Sequence, residues 1–207
     1  MKLQYKCKYC RKFGQKLGLN ERCLSGKCAL VRRRTRPGMH GRKPKILSLF
    51  GKQLLEKQKL RIAFLLSEKQ MKNYAKLAKS NKNKNSAEAL IELLERRLDN
   101  VIWRAGFVLS KPEARQLVVH GHFLVNGKKI NIPSYLVKSG DVISVRPQSR
   151  HIKNFANIQQ RLKFYNIPKW LSFDENNLSV TVVNLPQSSE LQHNFDLSSV
   201  IDFYSRQ

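Results

Sequence analysis

Acidic residues are scarce in this chain of 207: 14 Asp and Glu stand against 40 Lys and Arg, for a formal charge of +26 and a pI near 10.4. A compact chain so short of negative charge repels itself unless a polyanion neutralises it. Nucleic acid, with its closely spaced phosphates, is one such polyanion. An anionic membrane is another, but the sequence has no apolar run of about 20 residues and no lipidation signal. The basic start (Met1, Lys2, Lys6, Lys8) lacks the apolar stretch of a secretory signal, so a reducing compartment is expected. Also missing are Gly-x-Gly-x-x-Gly, a phosphate-binding P-loop and Gly-x-Ser-x-Gly. No carboxylate pair suits acid–base chemistry. Glu92, Glu95 and Asp99 share a helical face within reach of Arg96, Arg97 and Arg104, which is the pattern of a salt-bridged helix. Absence of a motif does not exclude an enzyme, but nothing positive in the sequence argues for one.

What is present is unevenly placed. After Trp170 the only basic residue is Arg206, whereas Asp174, Glu175, Glu190, Asp196 and Asp202 all lie there. The preceding part holds 39 basic and 9 acidic residues, a formal +30, and should carry the nucleic-acid face. The acidic tail, with Val180, Val182, Val183, Val200, Ile201, Phe203 and Tyr204, is expected to pack internally or against protein. With 41% hydrophobic residues the chain should fold.

The periodicities predict an α+β protein. Residues 1–45 form an arm rich in Cys, Arg and Gly, and 46–95 a helical domain. Within it, Leu54, Leu55, Leu60, Ile62, Leu65 and Leu66 give apolar faces. Ser67-Glu68-Lys69-Gln70 reads as a capping box that opens a helix through Met71, Tyr74 and Leu77. Ser86 is the expected cap of the next helix, whose Leu90, Ile91, Leu94 and Leu98 form one stripe. Residues 96–147 read as an inserted RNA-binding domain of two helices and a small antiparallel sheet. Ser110-Lys111-Pro112-Glu113 opens its second helix, which stops at Gly121. Asn126-Gly127 between two apolar runs is a type I′ hairpin signal. In 148–207 a basic helix over 150–165 and short strands are expected, with the segment packing back on the helical domain.

All four cysteines fall within the first 28 residues, as the pairs Cys7/Cys10 and Cys23/Cys28. Two close pairs separated by a loop suit one tetrahedral zinc, whose role would be structural because four thiolates leave no open position. Thiolates also suit an iron–sulfur cluster. Two disulfides or four free thiols are the other readings, and a reducing compartment disfavours the disulfides. His40 reads as a phosphate donor or turn residue, and His120-Gly121-His122 is a weak metal pair without an acidic or cysteine neighbour.

The basic candidates fall into groups. Arg32, Arg33, Arg34, Arg36, His40, Arg42 and Lys43 form an arm with a turn at Pro37-Gly38, read either as a disordered tail or as an arm that orders against phosphate. Lys52, Lys57, Lys59 and Arg61 lie among the leucines of the first long helix. Arg97, Arg104, Ser110, Lys111, Arg115, Gln116 and His120 lie on the helix pair, and Lys128 and Lys129 on the hairpin. A helix pair of this kind can follow an RNA backbone by shape, with helix N-terminal amides adding an anion site.

Three stretches then carry a family likeness: Leu94-Glu95-Arg96-Arg97-Leu98-Asp99-Asn100-Val101, Glu113-Ala114-Arg115-Gln116-Leu117-Val118, and Val125-Asn126-Gly127 with Ile132-Pro133-Ser134-Tyr135. They resemble the small ribosomal subunit protein four family of bacterial and organellar type. Pro37-Gly38-Met39-His40-Gly41, Glu56-Lys57-Gln58-Lys59 and Phe203-Tyr204-Ser205-Arg206 extend the likeness along nearly the whole chain. Met39 stands where the family more often has Gln, and Ser48-Leu49-Phe50-Gly51 replaces a more usual Ser-x-Tyr-Gly.

The resemblance implies a structural protein that binds the five-prime domain of small-subunit rRNA at a multi-helix junction early in assembly. It implies contact with neighbouring small-subunit protein five and with mRNA where it threads into the subunit, and an influence on decoding accuracy. It makes the basic groups candidate rRNA contacts, and likens residues 96–145 to a domain shared with some pseudouridine synthases and tyrosyl-tRNA synthetases. Cys7, Cys10, Cys23 and Cys28 resemble the metal-binding branch of the family. No membrane and no small-molecule substrate are implied. The many Lys and Asn suggest an AT-rich genome, so the subunit would sit in a plastid, a mitochondrion or a reduced bacterium.

Two rivals are an RNA-modifying enzyme or ribosome-rescue factor that borrows the same domain, and a zinc-dependent DNA-binding regulator. The enzyme would need a catalytic domain for which the stretch after Val145 leaves no room. The regulator would need a recognition helix or dimerisation heptads, and neither is evident.

Overall fold

The computed structural model describes residues 7–23, 27–43, 46–152, 155, 158, 162, 165–175, 177–187 and 195–206. Its named helices are α1 (Lys8–Phe13), α2 (Ala29–Arg32), α3 (Leu49–Ala63), α4 (Glu68–Ser80), α5 (Ser86–Glu95), α6 (Leu98–Arg104), α7 (Lys111–Val119) and α8 (Leu197–Ser205). Its strands are β1 (Phe123–Val125), β2 (Lys128–Lys129), β3 (Val142–Val145), β4 (Leu171–Asp174) and β5 (Ser179–Val182). The chain divides into two compact units, one of Met1–Ile91 with His193–Gln207 and one of Glu92–Gln192.

In the first unit local signals set the helix starts. The Ser48 hydroxyl accepts from the Gly51 amide at 3.2 Å and opens α3. At α4 the capping box forms in both directions: the Ser67 hydroxyl takes the Gln70 amide, and the Gln70 side chain takes the Ser67 amide. Ahead of α5 the cap differs from expectation. The Asn85 carboxamide, not Ser86, accepts from the Ala87 amide at 3.0 Å, because Ser86 is already the first helical residue. Along α4 the buried stripe is Met71, Tyr74, Ala75 and Ala78, while Leu77 is 56% exposed. Helix α8, capped by Asp196 through the Ser199 amide, buries Leu197, Val200, Phe203 and Tyr204. Its Phe203 ring lies 5.7 Å from Phe50 of α3, and the Tyr204 hydroxyl donates to Glu68 of α4 at 2.8 Å.

The second unit joins α6 and α7 to a five-stranded antiparallel sheet of order β2-β1-β3-β5-β4. Asn126 and Gly127 have φ of +50° and +77°, the pair of left-handed residues a type I′ turn requires. The return strand is shorter than the alternation suggested, with only Lys128 and Lys129 in register with β1. The core lies between sheet and helices and includes Val101, Ile102, Phe107, Val118, Phe123, Ile143, Val145 and Val180. Phe155, Ile158 and Leu162 are helical and buried in it, as the sequence spacing anticipated. The residues between them lie outside the described set.

Two expectations are corrected here. Leu90 to Leu98 is not one stripe on one helix. The chain leaves α5 at Glu95, and Arg97 turns extended (ψ 135°), bridges to Leu136, and restarts α6. Nor does the whole of 148–207 pack on the helical domain. Strand β5 pairs with β3 through Val142–Thr181, Ile143–Val180 and Ser144–Ser179, so residues up to 192 group with the second unit. Only His193–Gln207 groups with the first.

Candidate RNA-binding surface

In the first unit the basic arm is built around a tight loop. A Cβ at Gly41 would run into the carbonyl of Arg36, so only glycine lets the chain fold back there. Gly41 donates its amide to the Gly38 carbonyl at 3.2 Å, and Lys43 donates to that of His40 at 3.1 Å. Arg11 of α1 pins the loop from outside, its guanidinium donating to the carbonyls of Thr35 (3.1 Å) and Arg36 (3.4 Å). Arg32, Arg33, Arg34, Arg36, His40, Arg42 and Lys43 are left exposed around it. Arg11 had no sequence signal, since its partners are backbone carbonyls 24 and 25 residues away.

Farther along, Lys52 is exposed, but its companions are not free phosphate donors. Lys57 is buried, paired with Glu68 at 2.8 Å, and its ammonium sits 4.7 Å from the Phe203 ring centre. Lys59 is buried against Glu56 at 2.7 Å, and Arg61 lies 3.7 Å from Glu68. Lys57 and Lys59 are buried because α8 and the residue before it cover this side of α3.

Several basic residues of the helix pair in the second unit are held in the same way. Arg97, 1% exposed, is held by Asp99 through Nε and Nη2 at 3.1 and 2.7 Å. Arg104 forms a two-point pair with the fully buried Glu95 at 3.0 and 2.8 Å, and Asn100 donates to the same carboxylate at 2.6 Å. Burial alone would push the Glu95 carboxyl up. The charge and hydrogen bonds of Arg104, with Lys111 and Asn100, outweigh it and hold the group below the usual carboxylate range. Ser110 and Lys111 are buried too, and Lys111 lies 4.4 Å from the Trp103 ring centre. Burial, then the neighbouring Arg104, bring Lys111 down to about 7. These groups take part in building the domain, and the side chains freest to meet RNA lie outside them.

What lies outside is a cluster at the end of α7 and the adjoining strand ends. Gln116, His120, Lys128 and Lys129 are exposed and Arg115 is half-buried. A Cβ at Gly121 would strike the Lys129 side chain, so Lys129 lies across the glycine that ends the helix. The His120 and His122 rings stand 5.9 Å apart, and His122 Nδ1 meets the Ser149 hydroxyl at 2.9 Å. Burial and the positive charge of His120, Arg146 and Lys129 hold His122 below the ordinary imidazole range. His122 and Arg146 were not among the RNA candidates, although the register supplied the clue. Phe123 pairs with Val145, so the next pair outward is His122 with Arg146, whose amide donates to the His122 carbonyl at 2.9 Å. The cluster gathers donors and positive charge on one rim, which suits phosphate oxygens.

Of the four cysteines, Cys10, Cys23 and Cys28 are buried and Cys7 is half-buried; all are reduced. Cys7 precedes α1, Cys10 lies inside it, Cys23 ends a short 3-10 turn (Glu21–Cys23), and Cys28 precedes α2. Cys10 and Cys23 share a hydrogen bond, which raises Cys10 and lowers Cys23 to about 6. Among the described residues no three His, Cys, Asp or Glu side chains gather closely enough to hold a metal ion. The donor chemistry, four thiols of which Cys10 and Cys23 are in contact, fits zinc.

A helical unit and a sheet-based unit, each with an exposed basic rim, make this a two-unit α+β protein of the class that suits nucleic acid. The S4 domain matches residues 96–143, and the ribosomal protein S4/S9 N-terminal domain matches residues 2–95. The chain is 44% identical over 201 residues to small ribosomal subunit protein uS4 of Ruminiclostridium cellulolyticum, and 43% identical over 201 residues to that of Halothermothrix orenii. It is 44% identical over 204 residues to small ribosomal subunit protein uS4A of Symbiobacterium thermophilum; all three alignments cover 97% of this chain and 96% of the relative. The chain belongs to the uS4 family of small ribosomal subunit proteins, which is structural and non-enzymatic.

Proposed function

We infer that the chain is a structural, rRNA-binding constituent of the small ribosomal subunit. The observation that carries this is the full-length likeness to uS4 proteins, joined to two exposed basic rims, one around residues 32–43 and one around 120–146. Its finer role is binding to the five-prime domain of small-subunit rRNA, early enough to nucleate assembly. The chain then neighbours small-subunit protein five and mRNA where it threads into the subunit, and there it supports accurate decoding. Supporting the protein contact, Leu49 and Phe50 on α3 and Ile46 before it are exposed apolar residues beside the basic arm.

Cys7, Cys10, Cys23 and Cys28 are proposed as ligands of one structural zinc. Support comes from an all-thiol donor set, three of whose members are buried, in an arm of short helices with little core of its own. Bound zinc would supply a cross-link between α1 and α2 and no reactive position.

The function is tested by sedimentation of a cell extract. The chain is expected in the small-subunit fraction at a ratio near one per subunit. Recovery in the free protein pool alone would refute the assignment.

A further inference from the structure

Helix α4 and the turn after it hold six lysines and one glutamate over residues 68–84. None of these lysines was singled out by motif, and four of them align. Lys69, Lys72, Lys76 and Lys79 are three, four and three residues apart, which puts them within one face of the helix. At 1.5 Å of rise per residue the ladder is about 15 Å long. The opposite side of α4 is the buried stripe of Met71, Tyr74, Ala75 and Ala78, so the ladder cannot rotate away from solvent.

The ladder has no internal purpose in this fold. The four lysines are exposed, and none forms an ion pair or hydrogen bond among the described residues. The single acid of α4, Glu68, is already shared by Lys57, Arg61 and the Tyr204 hydroxyl. On the flank toward α8 the ladder borders an open cleft of about 150 Å³ lined by Lys72, Ala75, Lys76, Lys79 and Tyr204. The small Ala75 side chain makes the floor, and the Tyr204 ring makes a wall whose hydroxyl is turned to Glu68.

We propose that this lysine-lined cleft on α4 is a binding track for the phosphodiester backbone of duplex RNA, on a different unit from the cluster at His120–His122. The inference rests on the reading of the chain as an rRNA-binding protein and adds a place where it does so. The argument for a backbone, not a single anion, is length: four ammonium groups over about 15 Å face several successive phosphates, since each strand carries one per about 3.4 Å of axis. The argument for a duplex is the missing stacking platform. Single-strand tracks interleave aromatic faces with charge, whereas the one aromatic ring in this cleft is buried Tyr204. Lysines act as point charges without the planar fork of arginine, so the track contributes affinity and orientation but no sequence choice.

The test uses the full chain and naked small-subunit rRNA. A Lys72→Gln/Lys76→Gln/Lys79→Gln variant keeps helix propensity almost unchanged and removes three charges. Affinity is measured by filter binding over a series of KCl concentrations. The slope of log K against log salt is expected to shallow by about 2 to 3, at roughly 0.9 per lost phosphate contact. The corresponding triple Lys→Arg variant is expected to keep the wild-type slope. Circular dichroism of both variants should match wild type; a variant that loses helix is replaced by the single Lys76→Gln, with an expected change near 1. An unchanged slope in a folded triple Gln variant overturns the track. Two further readings would do the same. Saturable inorganic phosphate binding at Lys72 and Lys76, seen by NMR, with an unchanged RNA slope marks an isolated anion pocket. Normal binding to naked rRNA with failed incorporation beside the other subunit proteins marks a protein contact. A wild-type chain that does not bind rRNA at all is the separate failure of the assigned function.

Discussion

Glu95 is buried completely yet surrounded by cations and an amide that suit only its charged form. Removing one partner of such a pair strands the other charge in a poorly solvated place, which costs more than the pair itself contributes. Glu95→Ala is therefore expected to lower unfolding free energy by about 3–5 kcal/mol in urea titrations at pH 7; a loss below about 1 kcal/mol would discard this account. The pH dependence follows from the sign. Because the folded carboxyl lies below its ordinary value, its stabilisation is present above that ordinary value and is lost as pH falls through the depressed one. Arg104→Ala should destabilise comparably while leaving the salt slope of rRNA binding intact under folding conditions. Sequence reading grouped Glu92, Glu95 and Asp99 on one helical face with three arginines. The residues were the right ones, but the pairing was not legible. The break at Arg96 and Arg97 resets the helical phase, so Arg97 meets Asp99 two residues on and Arg104 reaches back nine to Glu95.

At the scale of elements, features whose cause is local were readable, and features whose cause is distant were not. The capping box at Ser67 and Gln70 and the Asn126-Gly127 turn need only neighbours a few residues away, and both form as read. The joining of β5 to β3 depends on partners 35 to 39 residues apart, and four-residue strands in an acidic tail carry no sign of which sheet they complete. The cysteine arm lies between these cases. Its spacing is local, but α1 and α2 have six and four residues, too few to be stable alone. If zinc supplies the missing cross-link, the purified chain should hold about one zinc per chain by elemental analysis. A chelator should then remove the metal together with the amide protection of α1 and α2, while that of the Glu92–Gln192 unit persists. A metal-free chain with both helices protected would end the zinc proposal, and iron in place of zinc would point to a cluster.

For the whole molecule, the charge excess makes folding and binding respond to salt with opposite signs. Forty basic against fourteen acidic residues leave many exposed cations facing one another, and screening shortens that repulsion from about 10 Å at 0.1 M to about 3 Å at 1 M. Of the attractive pairs among the described residues, Arg97 with Asp99 and Arg104 with Glu95 are mostly buried and are screened less, and the more accessible ones at Glu56, Glu68 and Glu92 are few beside the exposed cations. Repulsion is thus the larger salt-sensitive contribution, and the isolated chain should gain stability when KCl rises from 20 to about 500 mM, by on the order of 1 kcal/mol or ~3 °C in Tm. Mild acid acts the other way. His122 sits below its ordinary value when folded, so lowering the pH through the normal imidazole range protonates the unfolded chain first and withdraws stability. Association with rRNA must weaken over the same salt range, because each phosphate contact releases counterions. Calorimetric scans of the free chain and filter binding of its rRNA complex, run in matched buffers, would separate the two effects. A Tm that falls with salt would mean that exposed ion pairs, not the exposed excess of lysine and arginine, govern the free protein. The rims at 32–43 and 120–146 would then have to be balanced by carboxylates that this fold keeps inside.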